Sequence, residues 1–140
     1  MDIRLLTPAD AAVLDHVADE VFDEDVDARL TAEFLADPRH HLCVAIDDGA
    51  VVAFASAVHY VHPDKPPQLW INEVATAPGH QRRGLAKAIL ERLLSLGRDL
   101  RCTEAWVLTD DDNVPARALY RSVGGVESTG VVMVTVPLED

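Results

Sequence analysis

The chain has 140 residues, 49% of them apolar, which is enough for one compact domain with a sizeable core and argues against disorder. Its formal net charge is −12, from 24 acidic residues against 12 Lys and Arg, which disfavours a nucleic-acid partner because phosphate binding rests on cationic neutralisation. No apolar run approaches the ~20 residues that span a bilayer, and Met1-Asp2-Ile3-Arg4 lacks the basic-then-apolar pattern of an export signal, so the expectation is a cytoplasmic protein with no membrane partner.

Ile3 to Leu6 reads as a first strand. Thr7 can cap a helix, Pro8 suits its first position and Asp10 completes a capping box, with Ala12, Val13, Val17, Ala18 and Val21 as the apolar face. An acidic break over Asp23 to Asp27 precedes a second short helix over 28–35, which ends before Asp37-Pro38. His41 to Ile46 and Ala50 to Tyr60 read as two strands joined by Asp47-Asp48-Gly49, a strong hairpin signal. After a Pro-bearing loop, an apolar strand begins at Leu69 and carries one acid, Glu73. Leu85, Ala86, Ile89, Leu90, Leu93 and Leu94 then recur at helical spacing, and the exit is expected at Gly97-Arg98. A fifth strand is expected over Ala105 to Thr109. A helix follows from Val114 to Val123, capped by Asn113 and closed by Gly124-Gly125, and the β-branched run Gly130 to Val136 reads as a last strand. This alternation predicts one domain, residues 1–140, of the α/β (α+β) class with a mixed sheet.

The stretch between the Glu73 strand and the long helix carries chemistry. Gln81-Arg82-Arg83-Gly84-Leu85-Ala86 places two cations and a glycine at a helix start, where free N–H groups and the helix dipole favour an anion such as phosphate. Glu73 interrupts an otherwise apolar strand, which a purely structural strand has little reason to do. The two cysteines, Cys43 and Cys102, read as buried free thiols. The six histidines show no metal-ligand spacing, so no metal is expected; His59 and Tyr60 read as rim residues within reach of a site. No G-x-S-x-G or Walker loop is present, against serine or nucleotide hydrolysis.

The Q-x-x-G-x-A form of residues 81–86, together with Asn113-Val114-Pro115-Ala116-Arg117-Ala118-Leu119-Tyr120, resembles the GNAT acyltransferase superfamily. That resemblance implies a GNAT fold of a mixed central sheet flanked by helices, and acetyl-coenzyme A as cofactor. The diphosphate would lie at Gln81, Arg82, Arg83, Gly84, Leu85 and Ala86, and the pantetheine arm along the backbone of Val74, Ala75 and Thr76. Asn113 and Ala116 would pack against that arm. Tyr120 would lie near the thioester sulfur as general acid, opposite Glu73 as base. The helical pair near the N-terminus would line the acceptor site, making Asp23, Glu24 and Asp25, with Glu73, Asp110 and Asp111, contacts for a cationic amine.

Val21-Phe22-Asp23-Glu24, Phe34-Leu35, Ile71 to Ala75, His80 to Gly84 and Asp111 to Tyr120 further resemble aminoglycoside 3-N-acetyltransferases, although that subfamily more often has Asp at the position of Glu73 and Asp-Pro-Ala from the position of Asn113. The implied activity is acetylation of the 3-amino group of an aminoglycoside antibiotic, conferring resistance. The alternatives are N-acetylation of a polyamine, small metabolite or protein amine, or a non-catalytic acyl-coenzyme A-binding regulatory module. A homodimer is also expected, with Val131 to Val136 as its pairing edge.

Overall fold

A computed structural model describes residues 1–140. Five strands form one sheet in the order β1 (Asp2–Leu5), β2 (His40–Asp47), β3 (Ala50–Tyr60), β4 (Gln68–Thr76), β5 (Ala105–Trp106). The first four pair antiparallel, and β5 joins β4 in parallel, which gives the mixed sheet expected. Three α-helices accompany it: α1 (Ala28–Ala36), α2 (Leu85–Asp99) and α3 (Val114–Ser122). No helix is long and apolar enough to cross a membrane.

The hairpin between β2 and β3 forms as read. Asp48 and Gly49 take φ of 51° and 78°, the two positive values a type I′ turn needs. Helix α2 lays Leu85, Ile89, Leu90 and Leu93 on the sheet, and the last three are fully buried with Leu69 of β4. Gly97 lies inside α2 rather than at its exit. A Cβ there would meet Leu69 Cδ2 at 3.2 Å, so the glycine lets the last turn lie against β4. The opposite face of the sheet is covered by the chain that follows the first turns, where Phe22 stacks on Phe54 with centroids 4.1 Å apart.

Three expected elements differ. The first helix is a 3₁₀ helix over Pro8–Asp15, opened by Thr7, whose N–H donates to Asp10 Oδ2 at 2.7 Å. It stops because β3 takes the next residues: Val51 N–H donates to His16 O, and Ala18 N–H donates to Val51 O, each at 2.9 Å. The fifth strand pairs only at Ala105 and Trp106, opposite Leu69 and Trp70, and is unpaired over Val107 to Thr109. The expected strand Gly130 to Val136 does not form, and its side chains are exposed. β-branched composition suits a strand but supplies no ladder; that needs a neighbouring edge.

Candidate active site

One bulge sets the site. Ser56 lies opposite Glu73 and Ala57 opposite Ile71, so Asn72 is an extra residue in β4. Before the bulge, Leu69 and Ile71 face α2 and Trp70 faces away. Residues directly opposite one another share a face, and Ser56 alternates with Ala57. The inserted residue therefore brings Glu73 onto the face of Trp70, Phe54 and Phe22, away from α2. The bulge and the early end of the β4–β5 pairing act on the same strand. From Ile71 to Thr76, the edge of β4 turned toward β5 has no strand beside it.

Glu73 is exposed on that face. Partial desolvation, and then the negative charge of Asp23, raise its pKa above the ordinary 4.5. Asp23 thus reaches the neighbourhood of Glu73 from the segment carrying Phe22. Glu24 and Asp25 follow it, both exposed. Near the root of the opening, Tyr60 (β3), Trp70 (β4) and Trp106 (β5) form a cluster of near-parallel rings. Their centroids lie 5.9 Å (Tyr60–Trp70), 5.0 Å (Trp70–Trp106) and 6.5 Å (Tyr60–Trp106) apart. Tyr60 was legible as a rim residue. The two tryptophans were not, because their meeting depends on the parallel register of β5 against β4, and no local signal carries that register.

On the other side of the opening, Val74, Ala75 and Thr76 end β4 half-buried, and Gln81 Nε2 reaches Thr76 O at 3.4 Å. The loop is pinned at its start by His80, whose Nε2 lies 2.9 Å from Asp47 Oδ2 on the hairpin. Arg82 (φ 64°) and Gly84 (φ 76°) both take left-handed backbone, and Gly84 caps α2. No side chain caps this helix, and its first backbone bond runs from Ala88 N–H to Gly84 O at 3.1 Å. The N–H groups of Leu85, Ala86 and Lys87 are thereby left for an external acceptor. Neither Arg82 nor Arg83 is in an ion pair, and the space a Cβ of Gly84 would enter is open to 4 Å. Uncommitted donors, two free guanidinium groups and room for close approach fit a diphosphate.

Helix α3 supplies the remaining residues. Asn113 Oδ1 accepts from Ala116 N–H at 3.2 Å and caps the helix, so this oxygen is committed locally. Ala116 is half-buried. Tyr120 is half-buried against the core, and burial raises its phenol above the ordinary value of 10, which keeps it protonated. Asp110 and Asp111 are exposed in the loop before α3; the Asp111 carbonyl accepts from Arg117 at 2.7 Å, and Asp110 O accepts from Asn113 N–H at 3.1 Å. These two tie the loop to α3 through backbone oxygens, leaving both carboxylates free. No group of three or more His, Cys, Asp or Glu side chains is arranged to hold a metal ion.

The site thus comprises a strand edge without a neighbour, a helix start with no side-chain cap beside two unpaired arginines, and a carboxylate of raised pKa on the open face. The sequence profile of the acetyltransferase (GNAT) family matches residues 10–124, and the chain belongs to that family. It is an acetyl-coenzyme A-dependent N-acetyltransferase. An uncharacterized N-acetyltransferase of Mycobacterium tuberculosis is 26% identical over 114 residues, 81% of this chain and 70% of its own length. In fold the chain is similar to an aminoglycoside acetyltransferase from an uncultured soil metagenomic sample, crystallised with sisomicin (TM-score 0.81, 18% identity, 99% of this chain and 96% of that one). It is also similar to AAC(6')-Iy in complex with a bisubstrate analogue, CoA-S-monomethyl-acetylneamine (TM-score 0.79, 20% identity, 97% of each chain). These neighbours are aminoglycoside acetyltransferases, but not specifically of the 3-N kind that the sequence resembles.

Proposed function

We propose that the protein acetylates an amino group of an aminoglycoside or a closely similar polycationic amine. The observation that carries this reading is the placement of Glu73 beside Asp23 on the open face of β4, with aromatic rings at its root. Asp23, Glu24 and Asp25 would attract ammonium groups from one side, and Asp110 and Asp111 from the other. The ring faces of Tyr60 and Trp70 offer a cation a further favourable surface. Glu73, its pKa raised toward the working range, would take the proton from the reacting amine, directly or through a water.

Acetyl-coenzyme A would supply the acetyl group as an activated thioester. Arg82 and Arg83 with the N–H groups of Gly84, Leu85 and Ala86 would hold its diphosphate, and Gln81 would shape the loop. The backbone of Val74, Ala75 and Thr76 would hold the pantetheine amides, with Asn113 and Ala116 as the opposite wall. Tyr120 would hold a proton for the departing thiolate; a phenol kept neutral by burial suits that role. The reaction would take place in the cytoplasm.

A thiol-release assay with acetyl-coenzyme A against sisomicin, gentamicin, kanamycin, spermidine and a lysine peptide tests the reading. Turnover confined to the aminoglycosides is the expected result. Turnover on spermidine or peptide would discard the antibiotic assignment and keep the chemistry. Acetylation of the 3-amino group, the position the sequence resemblance favours, would be read from the product by NMR; another acetylated amine rejects that position.

A further inference from the structure

The loop that opens α2 has little of its own to hold it. Gln81, Arg82 and Arg83 make no backbone–backbone hydrogen bond. Arg82 adopts left-handed backbone, φ 64°, which a side chain disfavours and which persists only where the surroundings hold it. Helix α2 fixes the far end, through Ala88 N–H to Gly84 O. At the near end, His80 Nε2 lies 2.9 Å from Asp47 Oδ2; an ionised carboxylate can only accept, so the imidazole N–H donates. This is the one hydrogen bond that ties residues 78–84 to a part of the chain remote in sequence. Asp47 is itself fixed, opposite Ala50 at the end of the β2–β3 ladder.

On the reading that residues 81–86 hold the diphosphate, we propose that the Asp47–His80 hydrogen bond positions this loop for acetyl-coenzyme A, so that Asp47 sets cofactor affinity through its acceptor oxygen and not through its charge. Charge alone would act the other way. The hydrogen bond from His80, and then the charges of His80, the N-terminal ammonium and Arg83, lower the pKa of Asp47 and keep it ionised. An anion near Arg83 repels a diphosphate and competes for the guanidinium. The contribution of Asp47 is therefore to hold the loop in place. With the link broken, the arrangement that presents Arg82, Arg83 and the N–H groups of Leu85 and Ala86 together is populated only part of the time, and apparent affinity falls by that fraction. The side chains of His80 and Asp47 are 24% and 39% exposed, so water competes for the bond, and a loss of about fivefold is expected.

Calorimetric titration of coenzyme A into the intact protein, with steady-state kinetics on the same variants, tests this. Asp47→Ala should raise the Kd of coenzyme A and the KM of acetyl-coenzyme A about fivefold, with kcat and far-ultraviolet dichroism unchanged. Asp47→Asn, which loses the charge and keeps the acceptor oxygen, should stay within about twofold of wild type. His80→Ala should lose as much as Asp47→Ala, and the two together no more than either alone. An Asp47→Ala variant that binds coenzyme A as well as wild type, or better, overturns the proposal. So do an Asp47→Asn variant as weak as Asp47→Ala, a kcat that falls with the affinity, and additive losses when both residues are changed. Arg82→Ala/Arg83→Ala separates this failure from that of the diphosphate reading. Unchanged coenzyme A affinity there removes the reading and the proposal with it; a loss of about tenfold or more, beside a neutral Asp47→Ala, removes the proposal alone.

Discussion

Glu73 owes its position to the residue before it. Without Asn72 as an insertion, strict alternation would point the carboxylate into α2, where an unpaired charge costs several kcal/mol. With it, the carboxylate stands on the open face, and partial desolvation and Asp23 hold its proton more tightly than an ordinary glutamate would. The acidic limb of the kcat/KM profile should therefore lie above pH 4.5, with activity rising as Glu73 loses its proton. Asp23→Asn should move that limb to lower pH, and Glu73→Gln should lower kcat by on the order of 100-fold or more while coenzyme A affinity is unchanged. Steady-state kinetics with calorimetric titration checks all three. The sequence marked Glu73 because an acid in an apolar strand is conspicuous. It did not place Trp70 beside Tyr60, because single-residue insertions and strand register leave no periodic trace.

At the scale of elements, the clearest readings were those with local chemistry: the Asp48-Gly49 turn, the capped start of α3 and the amphipathic stripe of α2. Those that failed depend on distant partners. The first helix is cut short by hydrogen bonds to Val51, some 35 residues away in sequence, and residues 130–136 pair with no strand of the sheet. The junction of loop and α2 rests on Gly84 at φ 76°, in open space. Gly84→Ala meets no clash, so its cost is backbone strain alone: urea unfolding should show a loss of about 1 kcal/mol. The pairing of β2 with β3 carries its own titration. His41 Nε2 and His59 Nδ1 are 2.8 Å apart, and burial, then the charges of His59 and His40, push His41 down from 6.5 to about 4. Between pH 6.5 and 4 the unfolded chain binds more protons than the folded one. Stability is therefore full above this window, falls as pH drops through it, and loses no more from this group below it. The loss should be on the order of 1 kcal/mol, allowing for screening at a half-buried ring. His41→Gln should flatten this part of the stability–pH curve measured by urea unfolding.

The molecule as a whole is acidic, with 24 Asp and Glu against 12 Lys and Arg, yet the loop before α2 carries two adjacent arginines that make no ion pair. The two substrates of the proposed reaction carry opposite charge and would meet regions of opposite charge. The kcat/KM of a polycationic acceptor should fall roughly tenfold between 50 mM and 500 mM salt, and that of a monoamine by about twofold or less, as stopped-time thiol-release measurements would show. The opening between β4 and β5 also makes the protein's rigidity conditional. Its sheet is continuous from β1 to β4 and is then joined to β5 by two residue pairs only. A ligand lying along Glu73 to Thr76 would stand in for the missing rungs and tie α2 and α3 together across the gap. Substrate supply would then set the lifetime of the enzyme as well as its rate: at 100 times its Kd, such a ligand adds about 2.7 kcal/mol to the resistance to unfolding. A cell short of acetyl-coenzyme A would hold this protein in its most proteolysis-prone form.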